Sequence, residues 1–168
     1  NFIVATLNVI SNHIGSIRID FARVYSQAGS SIDVDEEIYK FKDLLNFMPR
    51  AIQIGFLSPF PNEWLTEGMQ VGRIGKALAG AEMILWYLTL IGCIITIFKK
   101  PLLIVPLTPV LLISIALIIL LGYVIPNVGA LFRMRQAYML PFFMFGFYGW
   151  NLLYFYFSKK GKNLKIET

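Results

Sequence analysis

ALAGAEMILWYLTLIGCIITIF, residues Ala77–Phe98, is the stretch that decides the fold of this chain. It runs for about 22 residues and carries one ionisable side chain, Glu82. Because a helix rises about 1.5 Å per residue, this length matches a hydrocarbon core of roughly 30 Å. A core helix of a water-soluble protein would show a polar face, and this stretch has none. It is therefore predicted to be a transmembrane helix.

Two more long apolar stretches follow, and the whole chain is 57% hydrophobic with a mean hydropathy of +0.64. The sequence therefore predicts an all-α, polytopic integral membrane protein with three transmembrane helices, at 77–98, 102–125 and 137–157. Before these spans we expect an extracytoplasmic region of amphipathic helices, residues 1–76. After them we expect a cytoplasmic basic tail, residues 158–168.

The region 1–76 carries the patterns of two amphipathic helices. In the first, apolar residues recur at spacings of four and three and share one stripe: Ile3, Leu7, Ile10, Ile14, Ile17, Phe21 and Val24. This stripe lacks the Lys-rich opposite face of a lipid-surface helix, so packing on protein fits it better than lying on the bilayer. The second is expected to begin with carboxylates that complement the helix dipole, at positions 33–37, and to end at Pro49.

Lysines predict the orientation of the three spans. Lys99 and Lys100 lie in a tight hairpin, and further lysines lie in the tail after the last span. Antiparallel spans put the hairpin and the tail on one side, which the positive-inside rule makes cytoplasmic. The region 1–76 and the loop Pro126–Gln136 are then extracytoplasmic, in a multi-pass protein of the cell membrane. This clustering also explains the net charge of +5 without a nucleic-acid partner.

Arg133 and Arg135 are the candidate residues for binding an anion. Guanidinium groups near a membrane surface bind phosphate or diphosphate through paired hydrogen bonds, and the competing interpretation has them reach lipid headgroups. Their i, i+2 spacing puts them on one side of an extended loop, but about 200° apart if a helix already continues there. Pro126 and Gly129 favour a turn at this point.

Four carboxylates complete the set of candidate residues. Glu82 is the intramembrane polar candidate, because an ionisable group inside a span needs a protein partner or a polar cavity. Its role is either a structural hydrogen bond or a functional one. The outer carboxylates that are available as a general base are Asp33, Asp35 and Glu63.

The sequence contains no nucleotide-binding glycine loop, nucleophile motif or metal-ligand cluster, so neither a metal nor a cofactor is expected. Cys93 and His13 are interpreted as packing or surface residues. Gly68 and Gly72 form a G-x-x-x-G pattern, which predicts partner helices from upstream chain or from other subunits. Since the first residue is Asn and not Met, we expect a fragment of a longer protein or a processed product.

Three short segments carry a resemblance to a known group: LSPFPNEW at 57–64, AEMILWY at 81–87 and PNVGALFRMR at 126–135. In this order, over residues 45–150, the chain resembles the C-terminal part of polytopic membrane proteins from bacterial surface-polysaccharide gene clusters. Members of this group are labelled as membrane glycosyltransferases or polymerases.

The resemblance implies an integral-membrane component of bacterial envelope glycan assembly. Such a component would act on polyprenyl-linked sugars at the outer face of the membrane. On this interpretation we expect Arg133 and Arg135 to hold the lipid diphosphate, and an outer carboxylate or an upstream residue to do the acid–base work. The resemblance identifies no catalytic residue, so the enzymatic assignment stays open. The alternative is a non-catalytic membrane subunit that scaffolds or anchors a larger membrane complex.

Overall fold

The computed structural model describes residues 2–25, 29–66 and 72–164, with side chains described as far as residue 158. Within these ranges every regular element is a helix, and extended backbone pairs at one isolated bridge, between Ser31 and Asn127. The helices are, in chain order, α1 (Phe2–Val24), α2 (Phe41–Leu57), a 3₁₀ turn (Pro61–Glu63), α3 (Gly72–Lys99), a second 3₁₀ turn (Pro101–Leu103), α4 (Ile104–Val124) and α5 (Val128–Leu164). The predicted all-α fold is confirmed.

Among the described residues, three helices are long and apolar enough to cross a membrane: Phe2–Val24, Gly72–Lys99 and Pro101–Val124. The second and third correspond to the predicted spans 77–98 and 102–125. This composition is compatible with a multi-pass membrane protein. The first of the three is α1, which the sequence placed in an extracytoplasmic region.

The predicted span 137–157 lies inside α5, which is not among these three helices. Tyrosine, tryptophan, glycine and Asn151 lower the mean hydropathy of this aromatic stretch below that of α3 or α4. Whether α5 crosses the membrane therefore stays a prediction, as do the orientation of the spans and the cytoplasmic tail. Residues 165–168 of that tail, and Gly68 of the G-x-x-x-G pattern, lie outside the described residues.

The chain divides into two compact units. The first comprises Asn1–Met83 and Ile115–Tyr138, and the second comprises Ile84–Ser114 and Met139–Thr168. Helices α3, α4 and α5 each contribute one part to the first unit and another part to the second.

Helix α1 packs through small and polar residues together with part of the predicted apolar stripe, since Ile14 and Phe21 lie against the hydrophobic core. Its buried residues are Ser11, Gly15 and Arg18. A methyl group at Gly15 would overlap the carbonyl oxygen of Ile38, so the glycine lets the backbone of that segment lie directly against the helix. Several residues of the stripe are instead exposed: Ile3, Ile10, Ile17 and Val24. Close backbone approach, which only small side chains permit, decides which face packs.

Helix α2 continues for about two turns beyond Pro49, so the prediction that this proline ends the helix is wrong. The carboxylates at positions 33–37 precede the helix instead of opening it. Asp43 occupies the first turn, where its Oδ2 accepts a hydrogen bond of 2.9 Å from the backbone N–H of Lys40. The turns after the proline are buried at Ala51, Ile54 and Gly55. This packing offsets the backbone hydrogen bond that a proline removes.

A hydrophobic core in the first unit joins α2 to the end of α4 and the start of α5. Its buried members are Ile38, Phe47, Ala51, Ile54, Tyr123, Ile125 and Leu131. Arg18 reaches the edge of this core from α1 and donates hydrogen bonds to the carbonyl oxygens of Tyr123, at 2.8 Å, and Asp33, at 2.6 Å. The core therefore holds the segment before α2 and the connection after α4 in fixed positions.

The predicted loop Pro126–Gln136 is largely helical, which corrects the sequence interpretation. Helix α5 already begins at Val128, because Asn127 caps it. The Asn127 side-chain oxygen Oδ1 accepts a hydrogen bond of 2.9 Å from the backbone N–H of Ala130, as an N-cap residue does. Arg133 and Arg135 consequently lie on a helix, about 200° apart around its axis.

In the second unit, the backbones of α3 and α5 approach each other closely at three glycines, Gly92, Gly146 and Gly149. A methyl group at Gly92 would overlap the carbonyl oxygen of Gly146, and one at Gly149 would overlap the carbonyl oxygen of Gly92. Gly146 and Gly149 of α5 therefore form a close-packing face against α3. Thr96 and Cys93 support it by donating to α5 carbonyl oxygens. Cys93 is a buried packing residue here, as interpreted from the sequence.

Candidate anion-binding cavity

A cavity of about 410 Å³ lies in the first unit, between four segments of the chain. Its walls come from residues 29–31, from the turn that contains Pro59 and Trp64, and from the first turns of α3 and α5. Within the part of the chain that the structure describes, the ionisable side chains that line it are Glu63, Lys76 and Arg133. We call it the cationic cavity, because two cations face one carboxylate. Its volume lies in the range of small-molecule sites.

Trp64 forms the aromatic wall of the cationic cavity, and two local features fix its position. Its indole N–H donates a hydrogen bond of 2.9 Å to the carbonyl oxygen of Pro59. Gly80 of α3 lies beneath the ring, where an added methyl carbon would come within 2.7 Å of Trp64 Cγ. The glycine in α3 therefore provides the space that the indole occupies.

Another wall is built where α5 begins. Ser30 donates a hydrogen bond of 3.1 Å to Asn127 Oδ1, and the backbone N–H of Val128 donates to the Ser30 carbonyl oxygen at 2.9 Å. These contacts hold residues 29–31 against the first turn of α5. Arg133 follows one turn later and is exposed, with its Nε donating to the Gly129 carbonyl oxygen at 3.1 Å.

The electrostatics of the cationic cavity favour an anion. Lys76 is partly buried in the first turns of α3, and its ammonium group donates a hydrogen bond of 2.8 Å to Thr66 Oγ1. Partial burial raises the pKa of the Glu63 carboxyl above its usual range, while the positive charge of Lys76 opposes that rise. A phosphate group in this cavity would meet Lys76 and Arg133 from two different helices.

Arg135 is not part of this cavity, so the expectation of one site shared by both arginines does not hold. Its side chain is fully buried, with 0% of its surface exposed. Its guanidinium donates hydrogen bonds to the carbonyl oxygen of Gly55, at 2.8 Å, and to the sulfur of Met83, at 2.7 Å. Arg135 therefore joins α2, α3 and α5 within the first unit.

Glu82 has a hydrogen-bond partner from protein. Gln136 Nε2 donates to Glu82 Oε1 at 2.9 Å, so the two side chains join α3 and α5 within the first unit. A structural hydrogen bond of this kind is one of the two roles that the sequence leaves open for Glu82. Glu82 does not contribute to the lining of the cationic cavity.

The other two outer carboxylates lie away from the cationic cavity. Asp33 accepts hydrogen bonds from Arg50 Nε, at 2.6 Å, and from Arg50 Nη2, at 3.2 Å, in a paired contact. This hydrogen bond raises the pKa of the Arg50 guanidinium. Asp35 is exposed.

A second cavity, of about 500 Å³, lies beside the Asp33–Arg50 pair. Its described lining contains four carboxylates and one guanidinium, with three uncharged residues beside them: Asp33, Glu36, Glu37, Asp43 and Arg50, and Ile38, Asn46 and Phe47. We call it the acidic cavity. Among the described residues, no group of three or more His, Cys, Asp or Glu side chains is arranged to hold a metal ion, here or elsewhere.

Sequence reasoning missed Lys76. A signal for it exists, because Lys76 immediately precedes the span 77–98 on the side predicted to be extracytoplasmic, where basic residues are disfavoured. A basic residue at the extracytoplasmic end of a span is a stronger indication of a binding role than one at the cytoplasmic end, where the positive-inside rule already explains it. The N-cap residue Asn127 would likewise have predicted that Arg133 and Arg135 diverge.

Comparisons with known proteins leave the family of this chain open. No family model, no curated protein and no solved structure matches it.

Proposed function

We propose that this protein is an integral-membrane component of bacterial envelope glycan assembly that binds polyprenyl-linked sugars at the outer face of the membrane. The cationic cavity is the binding site for the lipid diphosphate. Lys76 and Arg133 hold the phosphate oxygens, and Trp64 and Phe132 provide apolar surface beside them.

The observation that carries this proposal is the meeting of Lys76 and Arg133 in one cavity at the starts of α3 and α5. Helix α3 is long and apolar enough to cross a membrane, so a cavity at its first turns fits a ligand whose tail lies in lipid. The predicted orientation of the spans puts these turns on the extracytoplasmic side. Charge-assisted contacts to phosphate are strong enough to select such a headgroup.

An anionic phospholipid shares the same chemistry, since it also joins a phosphate to an apolar tail. The two ligands differ in charge, because a diphosphate carries more negative charge than the phosphodiester of phosphatidylglycerol. Two cations from separate helices match the diphosphate better. A binding experiment with both lipids distinguishes the two sources.

The test is a titration of the full chain in nanodiscs with a polyprenyl diphosphate, with phosphatidylglycerol and with the uncharged polyprenyl alcohol. We expect the diphosphate to bind most tightly and the alcohol most weakly. Lys76→Met and Arg133→Met should each weaken diphosphate binding about tenfold to a hundredfold, the effect of losing one charge-assisted hydrogen bond.

The matched control is Arg73→Met, which removes a cation from an exposed position of α3 outside the cavity. It should leave the affinity unchanged. Equal binding of the alcohol and the diphosphate, or no effect of either cavity variant, would contradict the proposal. If phosphatidylglycerol bound more tightly than the polyprenyl diphosphate, the cavity would be a site for a structural phospholipid.

The alternative function is a non-catalytic subunit that anchors a larger membrane complex. This alternative is supported by the apolar surface of α1, on which Phe2, Ile3 and Val9 are exposed. A subunit needs protein or lipid on this surface but no lipid diphosphate. The alternative therefore predicts that the cationic-cavity variants keep full function in cells, whereas polar substitutions on α1 lose it.

A further inference from the structure

The three outer carboxylates differ in what surrounds them, and the difference selects one of them. Asp33 is held in a paired contact by Arg50, beside the acidic cavity. Asp35 is exposed to solvent. Glu63 is partly buried and lines the cationic cavity together with Lys76 and Arg133. A carboxylate weakens the binding of phosphate in the same cavity. Its presence there therefore suggests a role other than binding the phosphate.

We propose that Glu63 accepts the proton of the incoming sugar hydroxyl during glycosyl transfer in the cationic cavity, an inference that rests on the proposed function. Glu63 would then be a catalytic residue and would not bind the diphosphate, which Lys76 and Arg133 hold. The 3₁₀ turn Pro61–Glu63 brings Glu63 into the lining of the same cavity as the first turns of α5.

The step balances without a cofactor or an oxidant. The oxygen of the acceptor sugar hydroxyl forms a bond to the anomeric carbon of the lipid-linked sugar. The bond between that carbon and the phosphate oxygen breaks, and its electron pair leaves with the polyprenyl diphosphate. The hydroxyl proton moves to the Glu63 carboxylate and later to water.

The charges of the cavity suit this proton transfer. As the leaving diphosphate gains negative charge, Lys76 and Arg133 stabilise it, and protonation of Glu63 removes the neighbouring negative charge at the same moment. Partial burial raises the pKa of Glu63 toward the operating pH, where a general base works best, and Lys76 limits the rise. Among the described residues, the charged groups that line the cavity with Glu63 are Lys76 from α3 and Arg133 from α5.

The test separates binding from transfer. In host membranes that carry the full chain, the endogenous polyprenyl-diphosphate saccharide is labelled with a radioactive sugar, and loss of label from the lipid fraction gives the transfer rate. Binding of an unlabelled polyprenyl diphosphate is measured in parallel in nanodiscs. Glu63→Gln should lower the transfer rate at least a hundredfold while the diphosphate binds as tightly as before or tighter, because a repulsive charge is removed.

The matched control is Glu36→Gln in the acidic cavity, which should transfer at the unaltered rate. The wild-type rate should fall on acidification as Glu63 becomes protonated. For the variant Glu63→Ala, added formate should restore part of the transfer by supplying a carboxylate, and it should not restore Lys76→Met. If the Gln variant fails to accumulate in the membrane, the formate rescue of Glu63→Ala still tests whether Glu63 accepts the proton.

Normal transfer by Glu63→Gln, or an Ala variant that formate does not rescue, would overturn the role of Glu63 while leaving the diphosphate site intact. A wild-type chain that does not bind polyprenyl diphosphate would instead overturn the proposed function. The two failures are therefore distinguishable.

Discussion

The acidic cavity and the cationic cavity lie in the same unit of the molecule but have opposite charge. Of the charged side chains in the described ranges, four carboxylates and one guanidinium line the first, whereas two cations and one carboxylate line the second. They are similar in size, at about 500 Å³ and about 410 Å³, so volume does not decide which of them takes a phosphate. Charge does, because an anion entering the acidic cavity meets like charges at close range.

The two cavities also differ in what their arginines do. Arg50 of the acidic cavity is engaged in a paired contact with Asp33, so its charge is largely compensated. Arg133 of the cationic cavity donates from Nε to the backbone carbonyl oxygen of Gly129. Since that acceptor is uncharged, this contact does not neutralise the positive charge of Arg133. A count of basic residues in the sequence would treat the two arginines as equivalent.

The largest expected effect comes from reversing the charge of the cationic cavity. Lys76→Glu replaces an attraction by a repulsion beside the bound phosphate, so affinity for a polyprenyl diphosphate should fall about a thousandfold or more. Glu37→Lys, the opposite reversal in the acidic cavity, should leave that affinity within about twofold. Titration of both variants in nanodiscs tests this, and a comparable loss in both would remove the distinction between the cavities.

The next effect concerns Arg133 and Arg135, which are two residues apart but differ in environment. Arg135→Leu removes a buried donor from the Gly55 carbonyl oxygen and should lower the free energy of unfolding by about 1–3 kcal/mol. Arg133→Leu removes an exposed side chain and should change it by less than about 0.5 kcal/mol. Thermal unfolding of the full chain in detergent measures both, and equal losses would contradict the assigned roles.

How far the sequence predicted the fold depends on the segment. Hydropathy and length predicted α3, α4 and their tight connection, because membrane-length apolar runs permit few structures. The start of α5 was not predicted, because Pro126 and Gly129 suggested a turn and the capping role of Asn127 was overlooked. The packed face of α1 was predicted only in part, since Ile14 and Phe21 of the apolar stripe pack against the core while Ile10 and Ile17 are exposed. This face depends on close backbone approach at Gly15, which hydrophobic periodicity does not report.

The candidate site was predicted in part. Arg133 and Glu63 were both candidates, and the structure brings them to one cavity. Lys76 is about 13 residues from Glu63 and 57 from Arg133 along the chain, and nothing in local spacing predicts their meeting. Arg135 was assigned to the same anion site, but helical geometry turned it to the interior.

The smallest effect is the pH dependence that Glu63 brings to stability. Burial raises its pKa in the folded chain above that of the unfolded chain, so the folded state binds more protons and its stability falls as pH rises through the folded value. Glu63→Gln should therefore raise the unfolding temperature slightly at pH 7, and the gain should vanish near pH 4, below the unfolded value. Glu36→Gln serves as the comparison in the acidic cavity. A gain that persists at the lower pH would contradict this account.

Photocrosslinking tests most directly the claim that the cationic cavity holds a lipid diphosphate. The full chain in nanodiscs is irradiated with a polyprenyl diphosphate that carries a photoreactive group next to the phosphate, and the adducts are located by peptide mass spectrometry. We predict adducts at the cavity wall around Trp64 and Phe132, displaced by excess unlabelled polyprenyl diphosphate and reduced in Lys76→Met. Adducts that map to the acidic cavity around Glu37 and Asn46, or labelling that excess diphosphate does not displace, would contradict the claim.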